Sequence, residues 1–278
     1  MRKGGIGRSI GMKLSAIARE REIPFEKVLT EFLLERMLAR LVNSKALSSV
    51  FIFKGGYVGR RAYGSPRYTI DLDALLRTGT IEALEAQVIK GIESDLEDGT
   101  WFRFESTLDL QTQGEYPGVR FVFRSGVGEE LEDLKRAQIV NFDIGVGDFI
   151  QPVKLELKPI LDERPISWTV YSKEVMVAEK LHSFLSRPLG NSRSKDLFDL
   201  MFYLPDCDSK LLKEAAIGTF SARGDAFPNN IANEFKALNL DLLKRGWKSA
   251  ITDLEDVGSF EQVFTKVVAE LKQKFSKN

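Results

Sequence analysis

The chain has 278 residues, of which 43% are apolar, enough to bury one large core or two modest ones. Forty basic residues balance forty acidic ones, which excludes a whole-surface electrostatic grip on nucleic acid and leaves only local patches for that purpose. The single cysteine, Cys207, excludes an internal disulfide, and no apolar run approaches the ~18 residues of a membrane span.

The elements follow in chain order. The opening "MRKGGIGRSIGMKLSAIARERE" is basic, with six Lys/Arg against two Glu, and it lacks the apolar stretch of a signal peptide. A cytoplasmic setting is therefore expected. Residues 25–43 carry a wide apolar stripe at helical spacing. "SVFIFKGG" reads as a short buried strand ended by Gly-Gly, and "RYTIDLDALL" as a second strand. Residues 81–96 repeat apolar side chains at helical intervals, with Thr80 as N-cap. Four strand-like segments follow at 101–107, 118–125, 137–146 and 153–160, separated by Gly or Pro. From Ser172 to the end the pattern is helical, including 172–187, 194–204 and a last long helix from Ser259. The expected fold class is α/β (α+β), a mixed sheet with flanking helices followed by a helical C-terminal domain. The proline-containing "LDERPISW" is the expected seam, giving domains 1–165 and 166–278.

The chemistry gathers in "FIFKGGYVGRRAYGSPRYTIDLDALL", residues 51–76. Successive strand side chains alternate in direction, so Asp71 and Asp73 share a face with Thr69, while Ile70 and Leu72 point to the core. Two adjacent carboxylates repel unless a cation lies between them. Mg²⁺ suits such oxygen ligands and leaves positions open for substrate phosphates. Asp143, in "VNFDIGV", is a third carboxylate in an otherwise apolar strand, where it is costly unless paired or metal-bound. Gly55 and Gly56 lack side chains and let backbone N–H groups approach a triphosphate. No Gly-Lys-Ser/Thr follows, so this is not a Walker A loop. Arg60, Arg61, Arg67, Arg120 and Arg124 read equally as phosphate-facing or as a solvated rim. A lone His182 and a lone Cys207 argue against a thiolate–histidine pair or a zinc site, and His182, inside a helical pattern, reads as structural.

These motifs resemble the AbiEii/AbiGii and MenT toxins, which are nucleotidyltransferase-like proteins of the polymerase β superfamily. The resemblance continues through "NFDIGVGD", "MVAEKLHSFLSR" and "SKDLFDLM", about two thirds of the chain. It implies a nucleotidyltransferase-like sheet domain and assigns roles to matching residues. Asp71 and Asp73 match the metal-binding pair, with Asp143 as the third metal carboxylate and Thr69 beside the site. Gly55, Gly56 and Thr69 match the nucleotide-binding positions. Lys180 matches the active-site lysine, which also binds nucleotide, and Asp196 the active-site aspartate. Asp199 shares a helix face with Asp196, one free to serve catalysis and the other to satisfy a basic neighbour. Lys195 stands where Arg is commoner, and Tyr57 and Gly59 replace the usual small and aliphatic residues, a change that bears on nucleotide choice.

The resemblance implies a Mg²⁺-dependent toxin of a type IV toxin–antitoxin or phage-defence pair. It would take an NTP as substrate, modify an RNA acceptor such as tRNA and block translation, with a neighbouring antitoxin that need not touch it. Two alternatives stay open. One is a nucleotidyltransferase acting on a small molecule or a protein, and the other is a catalytically silent NTP-binding module. If Lys180 works on the nucleotide, the active site is expected in a cleft between the two domains.

Overall fold

The computed structural model describes residues 3–110, 117–162, 164–186, 191–252 and 254–276. The chain divides into two compact units. The first comprises Met1–Ala62, Tyr68–Gly147 and Lys154–Val170, and the second Tyr63–Arg67, Asp148–Val153 and Tyr171–Asn278.

The first unit is built on a seven-stranded mixed sheet. Its strands are β1 (Phe51–Lys54), β2 (Asp71–Leu76), β3 (Thr100–Asp109), β4 (Gly118–Val127), β5 (Gln138–Gly145), β6 (Pro152–Leu157) and β7 (Ile166–Tyr171), in the order β3-β4-β5-β2-β1-β7-β6. β1 runs antiparallel to β2 and parallel to β7. β2 runs parallel to β5, and β3, β4 and β5 form an antiparallel meander. The six segments expected as strands are β1 to β6, within a few residues. β7 was not expected. Its "ISWTVY" was read as part of an interdomain seam because of the preceding proline, yet Trp168, Val170 and Tyr171 are buried. Burial of an alternating apolar set is what holds this segment in the sheet.

The helices of this unit are α1 (Lys3–Glu20), α2 (Phe25–Asn43), α3 (Gly55–Tyr63) and α4 (Ile81–Ile92). α2 has the bounds the apolar stripe predicts. It also buries Glu31, Glu35, Arg36 and Arg40, and each of these charges is paired. Arg40 grips both oxygens of Asp98 at 2.9 and 3.1 Å. Arg36 pairs with Glu35 at 2.8 Å. Leu14 and Ala18 of α1 pack with Val28 and Phe32 of α2 in a common core. Thr80 caps α4 as expected, accepting from the Ala83 N–H. That helix stops at Ile92, short of the expected residue 96, and Leu96 is partly exposed.

β1 ends at Lys54 directly before Gly55 and Gly56, as expected, and the two glycines open α3. One local reading is corrected. Ile70 does not point to the core. It is 61% exposed, because the regular strand begins only at Asp71 and alternation does not extend upstream of it.

The second unit is helical, with α5 (Lys173–Ser186), α6 (Asn191–Tyr203), α7 (Ser209–Ala222), α8 (Ile231–Ala237), α9 (Asp241–Ala250) and α10 (Phe260–Lys274). Arg187, the last residue of one expected helix, lies outside the described residues. α5 packs on α6 and α7, and α6 on α9 and α10. α10 starts with a capping box, Ser259 and Gln262 each satisfying the other's backbone N–H. Phe184 stacks on Phe235 at 5.0 Å between ring centroids.

Candidate active site

β1 delivers its chain end to the start of α3, where Gly55 is required by its backbone angle and by space, and Gly56 fits closely. Gly55 has φ +72°, and a Cβ at this position would collide with the Asp73 carboxylate. A Cβ at Gly56 would stand 3.1 Å from Cβ of Thr69 and 3.2 Å from its Oγ1. So Asp73 and Thr69 lie directly against the first turn of a nine-residue helix. The leading N–H groups of a helix have no partner within it and attract anions. Thr69 Oγ1 also accepts from the Asp71 N–H at 3.4 Å, which fixes the entry into β2.

Strand register collects the carboxylates. Asp71 and Asp73 are two apart on β2, and Asp73 lies level with Asp143 on the parallel neighbour β5. Asp143 is level with Arg120 on β4. Neighbouring residues in register project from the same side of a sheet, so all three aspartates and Arg120 share one face. Arg120 answers the like-charge problem raised by the sequence. Its Nε and Nη2 donate to the two oxygens of Asp143 at 2.8 and 2.6 Å, and Nη2 lies 3.6 Å from Asp71 Oδ2. Asp71 Oδ1 accepts from Asn141 Nδ2 at 2.7 Å. Lys54 is level with Asp73 on the other side of β2, and its ammonium reaches to the open side of Gly145.

This donor set fits a magnesium ion in part. Asp71 and Asp73 share a face beside a helix N-terminus, and Mg²⁺ is commonly held by one or two carboxylates with water and substrate phosphates. Asp143, the third expected ligand, has both oxygens engaged by Arg120. Among the described residues no group of three or more His, Cys, Asp or Glu is disposed to hold a metal by itself.

A second cluster lies wholly within the helical unit. Lys180 on α5 donates to Asp199 Oδ2 at 2.6 Å and to Asp196 Oδ1 at 3.1 Å, both on α6. Arg67 grips Asp199 with a fork at 3.1 and 2.9 Å. Burial disfavours the Lys180 ammonium, but Asp199 and Asp196 outweigh that and raise its pKa above the usual lysine range. Burial likewise disfavours the Asp199 carboxylate, but Lys180 and Arg67 prevail and hold its pKa below the ordinary value. Of the two aspartates, Asp199 is buried at 2% exposure and ties the cluster together. Asp196, the family-matched residue, keeps 15% of its side chain exposed.

Several sequence candidates fall elsewhere. Arg60 pairs with Glu31 at 2.9 Å. Arg61 donates to Glu35 at 2.8 Å and to the Lys158 carbonyl at 2.6 Å. These two arginines serve the α2–α3 packing and form neither a solvated rim nor a phosphate grip. Arg124 pairs with Glu105 at 2.7 Å. Tyr57 is fully buried against Trp168, edge to face, so its replacement of a small residue adjusts packing and puts no side chain against a nucleotide. His182 is buried, and the same atom, Nε2, meets both Asp225 at 2.7 Å and Ser186 at 3.1 Å. Burial pushes the Cys207 thiol up to about 12, which leaves it unreactive.

The sequence reading missed Arg120 as the partner of Asp143, Lys54 as the residue beside Asp73, and Arg67 as the partner of Asp199. Lys54 was detectable from its place directly before Gly-Gly. The other two pairings depend on register and helix packing and leave no local signal.

Residues 36–266 match the family described as nucleotidyl transferase AbiEii toxin, type IV TA system. No curated protein sequence matches the chain. Among solved structures, JHP933 from Helicobacter pylori is 15% identical, covering 87% of this chain and 88% of its own, with a TM-score of 0.48. A candidate nucleotidyltransferase from H. pylori is 14% identical over 88% and 92% of the two chains, with a TM-score of 0.46. An antigenic nucleotidyltransferase-like protein from Paracoccidioides brasiliensis is 16% identical over 75% and 94%, with a TM-score of 0.41.

Proposed function

Since the chain belongs to the AbiEii nucleotidyl transferase toxins of type IV toxin–antitoxin systems, we propose that it transfers a nucleotide from an NTP to an RNA acceptor such as tRNA and so blocks translation. The observation that carries this reading is the packing of the Asp73 carboxylate and Thr69 against Gly55 and Gly56 at the start of α3. It puts anion-binding N–H groups beside a carboxylate pair, the arrangement a metal-bound triphosphate needs.

In the proposed reaction an acceptor hydroxyl oxygen bonds to the α-phosphorus of the NTP. The bond to the pyrophosphate oxygen breaks, pyrophosphate leaves, and the hydroxyl proton passes to a base. Gly55, Gly56 and Thr69 receive the triphosphate. Asp71 and Asp73 would hold Mg²⁺, with Asp143 joining them if released from Arg120. When bound, the ion supplies charge neutralisation at the phosphates. Lys180 and Asp196 are proposed to take part in the same reaction, Lys180 as a compact cation for a phosphate oxygen and Asp196 as orienter of Lys180 or base on the acceptor. Positioning and electrostatics supply most of the catalysis in such transfers.

The setting we propose is the cytoplasm. Among the described residues no helix is long and apolar enough to cross a membrane. Membership of a type IV family implies an antitoxin partner, and direct contact with it is not required by this reading. Radiolabelled NTPs offered with total RNA, total protein and small-molecule pools test the acceptor. Label in tRNA-sized RNA supports the proposal. Label in protein or small molecules replaces the acceptor class, and no transfer with retained NTP binding leaves a silent nucleotide-binding module.

A further inference from the structure

Resting on the proposal that Asp71 and Asp73 hold a divalent cation, we infer that Arg120 is a built-in counter-cation that competes with that metal for Asp143. Arg120 is anchored on β4 directly opposite Asp143. It spends its Nε and Nη2 on both oxygens of Asp143, and the same Nη2 lies 3.6 Å from Asp71. One guanidinium thus spans the first and third aspartates, where a cation shared by them would act. The guanidinium takes one acceptor site on each Asp143 oxygen and places a positive charge where a metal shared by Asp71 and Asp143 would act, so the two cations compete.

The burial pattern fits an exchange. Asp143 is 7% exposed, so losing the Arg120 guanidinium without replacement is costly. Arg120 is 22% exposed at the side chain and sits on a long flexible stem, so it has room to turn away once another cation neutralises Asp143. Nucleotide-free protein is held in a charge-compensated state, and the carboxylates do not repel one another apart. The displaced guanidinium is then free for an anion, and a planar fork suits phosphate oxygens. Arg120 is therefore a positioning residue that sets metal affinity through Asp71 and Asp143.

The test is Mn²⁺ binding to nucleotide-free full-length protein, read by electron paramagnetic resonance and calorimetry, in wild type, Arg120→Gln, Arg120→Lys, Asp73→Asn and the double variant Arg120→Gln/Asp143→Asn. Removing a unit charge a few ångströms from the site should tighten Mn²⁺ binding in Arg120→Gln by about tenfold or more. Arg120→Lys, which keeps the charge but loses the fork, should fall between the two. The double variant should return towards wild-type affinity. Arg124→Gln, on the same strand but paired with Glu105, should match wild type. Thermal melts identify any variant that fails to fold. If Arg120→Gln does fail, Arg120→Lys and Arg120→Met decide the question. Equal or weaker Mn²⁺ binding in folded Arg120 variants, with binding lost in Asp73→Asn, overturns the inference and leaves the metal proposal standing. Absence of Mn²⁺ binding from wild type and Arg120 variants alike overturns both.

Discussion

Asp73 is held by contacts on several sides. Gly55 presses on its carboxylate from α3, Lys54 lies level with it on β1, and Asp143 lies level on β5. Its position is therefore sensitive to changes that leave its own side chain intact. Gly55→Ala would place a methyl group against the carboxylate and force an L residue to φ +72°, costing about 1–2 kcal/mol from the backbone alone. The expected outcome is a folded protein with a melting temperature lower by several degrees and transfer activity lost. Wild-type activity in Gly55→Ala would remove Gly55 from the site. Asp71→Asn and Asp73→Asn are near-isosteric and should keep the fold. Each should cut turnover by about two orders of magnitude or more, the usual loss for a key electrostatic group. Single-turnover kinetics on the two variants measure this directly.

Between elements, the pairing of α5 with α6 depends on Asp199. It sits beneath two cations, Lys180 and Arg67, and at 2% exposure has little water to replace them. Asp199→Asn would leave both cations short of a counter-charge. Breaking a buried pair typically costs about 3–5 kcal/mol, so the melting transition of the variant should fall clearly at neutral pH. The sign of the pH dependence follows from the depressed carboxyl. Its stabilisation is complete above the unfolded-chain value of about 3.9 and fades as pH falls through the lower folded value. Melting curves of wild type and Asp199→Asn should therefore converge on acidification below about pH 4, and a constant gap down to pH 2 would contradict the pairing. Lys180→Ala should lose transfer and, because it removes one of the two cations on Asp199, should lower the melt as well. Arg at this position should recover little, since its planar head places the charge differently.

For the whole molecule, the family membership and the carboxylate site make one joint expectation. Expression in a bacterial host without the partner gene should slow growth, and expression of Asp71→Asn should not. Growth curves under an inducible promoter, matched for protein level by immunoblot, supply the measurement. Equal slowing by both proteins would mean that the effect does not pass through transfer chemistry.

Local periodicity identified α2, whose apolar stripe and buried face coincide, and α10, and residue type added the Thr80 cap of α4. Strand alternation placed Asp71 and Asp73 on one face, because neighbours two apart in a strand have no other choice. It failed at Ile70, where there is no strand to alternate, and at β7, where a nearby proline outweighed a short apolar pattern. Composition excluded a disulfide framework, since one cysteine has no partner. Tertiary structure decided which charges meet. Arg120 reaches Asp143 through the antiparallel register of β4 and β5, and Arg67 reaches Asp199 across 132 positions of chain. It also made Gly-Gly the head of α3, and it sent Arg60 and Arg61 to buried glutamates. The physical reason is range. Helical and strand periods are set by neighbours a few residues apart, whereas the partner of a buried charge is set by which elements pack together, and nothing near that charge in the sequence records it.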